Sequence, residues 1–226
     1  MKTIALIGAD GSGKTTIAKK ILENPPVKMK YIYMGLNIES SNYALPTSRL
    51  IHFLKVYRYK KKNNIKAKIK NLSIHTINED RKEDTRGVLG ATFRTLNRIS
   101  EHLYRQLIAV FFQLLGYTIL FDRHYLFDGA IDKVNNKNYR LSSRIYSWLL
   151  YNVLPKPDFT LFLYAPPKVL HQRKIETSLE YLEGKNKSLE YIGSNVKNFV
   201  KIDATLPLEE VLNIVNSHIS KFCKNT

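Results

Sequence analysis

Cysteine is almost missing from this 226-residue chain, which has only Cys223. A single thiol excludes a disulfide framework and suits a reducing compartment. Acidic residues are scarce beside basic ones, 19 against 36, for a formal charge of +17. That imbalance favours polyanionic partners, namely nucleotides, nucleic acid or an anionic membrane surface; the alternative is a lysine-rich, soluble surface that explains most of the excess. No apolar run approaches the roughly 20 residues of a membrane-spanning helix. No charged-then-apolar leader opens the sequence, since the apolar run at 3–7 is too short for one. The expectation is a cytoplasmic protein, with peripheral attachment to a membrane as an extension of it. His52, His75, His102, His124, His171 and His218 show no metal-ligand spacing. The sequence contains no internal repeat and no low-complexity linker. What it does contain is 44% hydrophobic residues, enough to fill the core of one large α/β domain.

The chain is organised around residues 3–20, TIALIGADGSGKTTIAKK. Residues 3–7 read as a buried strand, and 16–21 continue as a helix. Between them, Gly8-Ala9-Asp10-Gly11-Ser12-Gly13-Lys14-Thr15 fits G-x-x-x-x-G-K-[ST] at every fixed position. Strand, glycine-rich loop and helix come in the order a phosphate-binding P-loop needs. Glycines let backbone N–H groups crowd around phosphate oxygens, and the helix N-terminus adds partial positive charge. The motif assigns Lys14 to the β/γ-phosphates and the Thr15 hydroxyl to Mg²⁺. ATP and Mg²⁺ are therefore the expected cofactors, cradled by Gly8, Ala9, Asp10, Gly11, Ser12, Gly13, Lys14, Thr15 and Thr16.

Further strands are expected at 29–34, 117–121, 159–164 and 199–202, with helices at 50–59, 89–115, 142–153, 166–173, 188–198 and 207–222. In the helix at 142–153 the expectation turns Ile145, Trp148, Leu149 and Val153 inward. The strand at 117–121 runs straight into Asp122, a Walker-B-like signal that is weak taken alone. Residues 55–70 (KVYRYKKKNNIKAKIK) are the basic concentration of the chain, and they follow the apolar side made by Leu50, Ile51, Phe53 and Leu54. Residues 176–187 are polar around Gly184 and form a candidate mobile lid. Strands separated by helices call for parallel pairing. The predicted fold is a three-layer α/β domain spanning 1–226, with a central parallel sheet of about five strands, helices on both faces, and a basic helical insertion at about 37–90.

Taken together, these residues resemble the thymidylate kinase family of P-loop nucleoside-monophosphate kinases. The likeness lies in the acidic P-loop GADGSGKTT, and in Gly116 leading to Phe121-Asp122-Arg123-His124-Tyr125. It continues in Leu154-Pro155-Lys156-Pro157-Asp158, Ala165-Pro166-Pro167 with Arg173, and Val200-Lys201-Ile202-Asp203-Ala204. It covers about residues 1–35 and 95–226. The resemblance implies an ATP-dependent kinase acting on a nucleoside monophosphate or related small acceptor. By position, Asp10 would hydrogen-bond the acceptor sugar, and Asp122 would hold Mg²⁺ or orient the acceptor oxygen. Arg123 would clamp an acceptor phosphate, and Arg173 would neutralise charge on the transferring phosphoryl group. Ala204 and Thr205 would lie beside adenine. A helix arginine, Arg98 or alternatively Arg105, would also reach the acceptor phosphate.

The family's R-E-P-G signature after the second strand is replaced here by Tyr33-Met34-Gly35-Leu36-Asn37. Thymidylate is accordingly expected to be a poor acceptor. The alternatives are a kinase for a sugar, polyol or glycan-linked hydroxyl, or a non-kinase P-loop ATPase that binds nucleic acid or a membrane. The expected partners are a small-molecule phosphoryl acceptor, a second copy of the chain as a homodimer, and an anionic membrane surface through 50–70. Nucleic acid is not expected.

Overall fold

The computed structural model describes residues 2–35, 41–62, 88–127, 141–175 and 177–224. Five strands form one sheet: β1 (Thr3–Gly8), β2 (Met29–Tyr33), β3 (Thr118–Asp122), β4 (Phe159–Tyr164) and β5 (Phe199–Asp203). All are parallel, in the order β2-β3-β1-β4-β5. β1 is central, and Ile4 to Gly8 are buried without a break. Such a continuous apolar run marks a parallel strand covered on both faces.

The helices are α1 (Lys14–Glu23), α2 (Pro46–Lys62), α3 (Val88–Leu114), α4 (Leu141–Asn152), α5 (Pro167–Arg173), α6 (Leu179–Gly193) and α7 (Leu208–Lys224). One core joins the sheet to Ile17 and Ile21 of α1, Leu170 of α5, and Val211, Val215 and Ile219 of α7. The other joins it to Ala109 of α3, Leu150 of α4, and Leu189 and Ile192 of α6. The three-layer α/β expectation therefore holds.

Two local expectations are corrected. In α4, Trp148 and Val153 were placed inward, yet they are 60% and 57% exposed, while Leu150 and Leu154 enter the core. Apolar residues ring this helix, so periodicity alone does not select the face; Leu150, with Leu154 just past the helix end, does the packing. The side chain of Ile145 lies outside the described residues. In α3 the apolar residues Leu96, Leu103, Leu107, Phe111 and Leu114 are exposed, and Glu101, His102, Arg105, Gln106 and Ala109 are buried. The second correction concerns the start of α6, which is Leu179 rather than residue 188. The Ser178 side chain accepts from the Tyr181 N–H at 3.3 Å as an N-cap, and Leu182 buries one turn before Leu189. Most of the candidate lid is thus helical. Residues 63–70 of the basic stretch lie outside the described residues. Among the described residues no helix is long and apolar enough to cross a membrane.

Candidate active site

The P-loop sits where β1 ends. Gly8 is required by close approach, because a Cβ there would stand 2.4 Å from Ser12 Oγ and 2.6 Å from the Leu163 carbonyl oxygen. Gly13 caps α1 with φ 86°, a left-handed conformation natural to glycine. The Ser12 N–H donates to Ala9 O at 3.2 Å and closes the turn. Lys14 is buried, and its Nζ donates to Ala9 O at 2.7 Å. Burial pushes its ammonium down to about 7; Arg123 pushes the same way, while Asp10 opposes them. Thr15 and Thr16 are exposed on the first turn of α1.

Asp122 ends β3 beside β1, in register with Leu6. It is completely buried. Its Oδ2 accepts from the Thr15 hydroxyl at 3.1 Å and from the Tyr31 hydroxyl at 2.9 Å. Its Oδ1 is buried with no hydrogen-bond partner. An unsatisfied buried carboxylate oxygen is costly, so this atom calls for a ligand. A hydroxyl and a carboxylate beside a phosphate cradle fit Mg²⁺, which takes few protein oxygens and completes its shell with water and substrate phosphate. Burial and the Asp122 charge hold the Tyr31 phenol above its ordinary range, so it stays a donor.

Arg123 follows with φ 65°, a conformation that costs a non-glycine residue about 1–3 kcal/mol. Its N–H donates to Leu6 O, and its Nη2 reaches Asp10 Oδ1 at 3.0 Å. From the other side Lys185 Nζ reaches Asp10 Oδ2 at 3.2 Å. Burial works to raise the Asp10 carboxyl, but Lys185, Arg123 and Lys14 outweigh it and hold the group well below the usual carboxylate range. Ile7, Lys14, Arg123, Phe127, Lys185 and Leu189 line a cleft between the P-loop and α6.

The structure therefore brings Asp10, Lys14, Thr15, Asp122 and Arg123 together. Arg173 stands elsewhere: its Nη1 donates to Ala204 O at 2.9 Å, at the end of β5. Arg105 is buried and donates to Tyr43 O, Gly35 O and Glu101 Oε1 at 3.1, 2.8 and 2.8 Å. It ties α3 to the segment after β2. Glu101 accepts from the Leu45 N–H and the Ser48 hydroxyl, completing that clasp. Arg98 is half-buried on the same helix. His124 stacks on Tyr125 at 4.1 Å, and burial drives it down to about 3, so it is a neutral packing residue.

Sequence reasoning missed Tyr31, Glu101 and Lys185. A signal existed for the last of these: Lys185 shares a helical stripe with Leu182 and Leu189, an unusual place for a lysine.

No protein-family model matches the chain. A curated protein described as a probable thymidylate kinase, from Archaeoglobus fulgidus, is 25% identical to it. That alignment covers 97% of this chain and 95% of the relative. The resemblance to thymidylate-kinase-like P-loop kinases thus extends along almost the whole chain. A solved structure of deoxyadenosine kinase from M. mycoides, with dCMP and dCDP bound, matches with a TM-score of 0.52 at 17% identity. It covers 97% of this chain and 99% of that one, and at this identity the likeness concerns the fold. The alignment with the probable thymidylate kinase supports a kinase enzyme here.

Proposed function

We propose that this thymidylate-kinase-like chain is an ATP-dependent phosphotransferase that moves the γ-phosphoryl group to a nucleoside monophosphate or related small acceptor. The observation that carries this reading is the meeting of Thr15, on the first turn after the P-loop, with the buried Asp122, whose Oδ1 has no hydrogen-bond partner. Thr15 and Asp122 would hold Mg²⁺, which when bound neutralises phosphate charge. The protein's own part is positioning and charge stabilisation. Gly8 to Thr16 would hold the donor phosphates, and Lys14 would turn from Ala9 O toward them. Arg123 would orient an anionic group on the acceptor, with Asp10 accepting from its hydroxyl. Arg98 is the helix arginine left to reach the acceptor, because Arg105 is engaged by Tyr43, Gly35 and Glu101.

The whole chain acts as one domain in this reading, and it works in the cytoplasm. Residues 176–187, with Arg173 at their base, act as a lid. Hydrogen exchange there should slow when a bisubstrate analogue binds, and equal rates with and without ligand would remove the lid. A homodimer is supported by the exposed apolar row on α3, and sedimentation at several concentrations tests it.

The acceptor is expected to differ from thymidylate. Gly35 has no room for a larger residue, since a Cβ there would meet the Tyr33 hydroxyl at 2.4 Å and Arg123 Cδ at 2.7 Å. The charged and rigid groups of the family signature are absent from Tyr33-Met34-Gly35-Leu36-Asn37, and each lost hydrogen-bonding partner costs a substrate about 1–3 kcal/mol. The test is ADP release from ATP across nucleoside monophosphates, nucleosides, sugars and polyols. A nucleotide other than thymidylate should give the highest kcat/KM. Turnover of thymidylate above about 1 per second at micromolar KM would overturn the acceptor reading. A sugar or polyol as best substrate would move the enzyme to the other acceptor class.

A further inference from the structure

Helix α6 turns Leu182, Lys185, Asn186 and Leu189 into the protein. Three of these have plain packing explanations. Leu182 and Leu189 fill the two cores, and Asn186 Nδ2 donates to Ala165 O at 3.0 Å, fixing the helix against the end of β4. Lys185 does not fit that pattern. Its side chain is 7% exposed, and a lysine on a buried stripe is costly unless its charge is met. Its Nζ lies 3.2 Å from Asp10 Oδ2 and 3.4 Å from the Tyr181 hydroxyl, with the Tyr181 ring centroid at 5.5 Å. It lines the same cleft as Lys14 and Arg123. Three cations therefore converge around Asp10, which is held by two of them. Arg173, given the charge-neutralising task by resemblance, is bonded to Ala204 O instead.

Resting on the kinase reading above, we propose that Lys185 is a catalytic cation of this cleft. It neutralises the phosphoryl group in flight between donor and acceptor, and Asp10 holds its ammonium in place when the cleft is empty. In the transfer, the bond from the γ-phosphorus to the bridging oxygen breaks, and its electron pair leaves with ADP. An acceptor oxygen bonds the phosphorus and releases any proton it carried to solvent. Lys185 forms and breaks no covalent bond. A shift of its Nζ away from Asp10 Oδ2 toward the incoming charge frees one Asp10 oxygen to accept from the acceptor hydroxyl. One flexible side chain thus couples arrival of phosphate to exposure of the acceptor-binding carboxylate.

The test compares Lys185→Met, Lys185→Arg and Lys20→Met. Lys20 lies in the last turn of α1, is partly exposed and is paired with Glu23, so it controls for surface charge. Two readouts are used: kcat and KM with the best acceptor, and calorimetric binding of inorganic tripolyphosphate, which needs no acceptor. Lys185→Met should lower kcat about 10²-fold with little change in acceptor KM, the pattern of a group acting in the transition state. It should weaken tripolyphosphate binding roughly tenfold, whereas Lys20→Met should leave both unchanged. Lys185→Arg should recover most of both losses. If Lys185→Met fails to fold, Lys185→Gln carries the same comparison. Tripolyphosphate binding equal to wild type in a folded Lys185→Met protein overturns the proposal. So does failure of Lys185→Arg to improve on Lys185→Met, since that marks a packing requirement. A wild-type protein that binds tripolyphosphate but phosphorylates none of the acceptors overturns the kinase reading, and with it the catalytic assignment of Lys185. One that binds no tripolyphosphate overturns both.

Discussion

The Thr15 hydroxyl lies 3.1 Å from Asp122 Oδ2, although 107 residues separate the two in the chain. They meet because β1 and β3 are parallel neighbours with Leu6 opposite Asp122. The first turn of α1 therefore stands over the carboxyl end of β3, the edge at which open parallel sheets bind ligands. Asp122→Asn should keep this geometry while removing the negative charge. Turnover should fall by roughly 10²-fold or more, and half-maximal activity should need more Mg²⁺. A magnesium titration of the variant checks this, with a thermal melt to confirm the fold.

Lys14 should take up a proton when a polyphosphate binds. Burial first, and Arg123 second, bring its ammonium down to about 7, so at pH 8 it is mostly neutral in the ligand-free protein. Phosphate charge favours the protonated form, and uptake near pH 8 should approach one proton per site. Calorimetry in buffers of different ionisation enthalpy measures it, and Lys14→Met should abolish it. The same shift has a consequence for stability. Between pH 7 and 10.5 the unfolded chain holds a proton here that the folded chain lacks. The Lys14 contribution to stability therefore rises with pH through that window and is lost as pH falls toward 7. Lys14→Ala should lower turnover by roughly 10²-fold or more while the fold persists.

Arg105 and Arg98 should separate cleanly. Arg105→Met leaves the buried Glu101 carboxylate without its partner and should cost about 3–5 kcal/mol in urea unfolding. Arg98→Met should change stability by no more than about 0.5 kcal/mol and raise the KM of a phosphorylated acceptor. A stable, fully active Arg105→Met protein would show that the clasp onto Gly35 and Tyr43 is dispensable.

The exposed Leu50, Phe53 and Leu54 of α2 precede the basic run, Tyr57 lies at its start, and together they suit docking to an anionic bilayer. Flotation with anionic liposomes should carry the protein in low salt and release it in high salt. Phe53→Asp should weaken the association. Equal flotation with neutral lipid, or none at all, would leave α2 as a solvated face.

The sequence determined the sheet and its order of elements, because β1 and the other strands are short apolar runs with helical periods between them. It also determined the phosphate cradle. A P-loop is contiguous, so the glycine spacing, Lys14 and Thr15 carry their geometry locally, and Asp122-Arg123 at a strand end was legible for the same reason. Only the tertiary structure decided what lies across the cleft. The salt bridges from Arg123 and Lys185 to Asp10 span 113 and 175 residues, and no local pattern encodes a pairing at that distance. Helix faces were decided in the same way. The polar side of α3 is buried because Glu101 and Arg105 find partners at 35–48, and α4 turns Leu150 rather than Trp148 inward. Periodicity shows that a helix has sides, but packing and hydrogen-bond satisfaction with distant segments select the side that faces in.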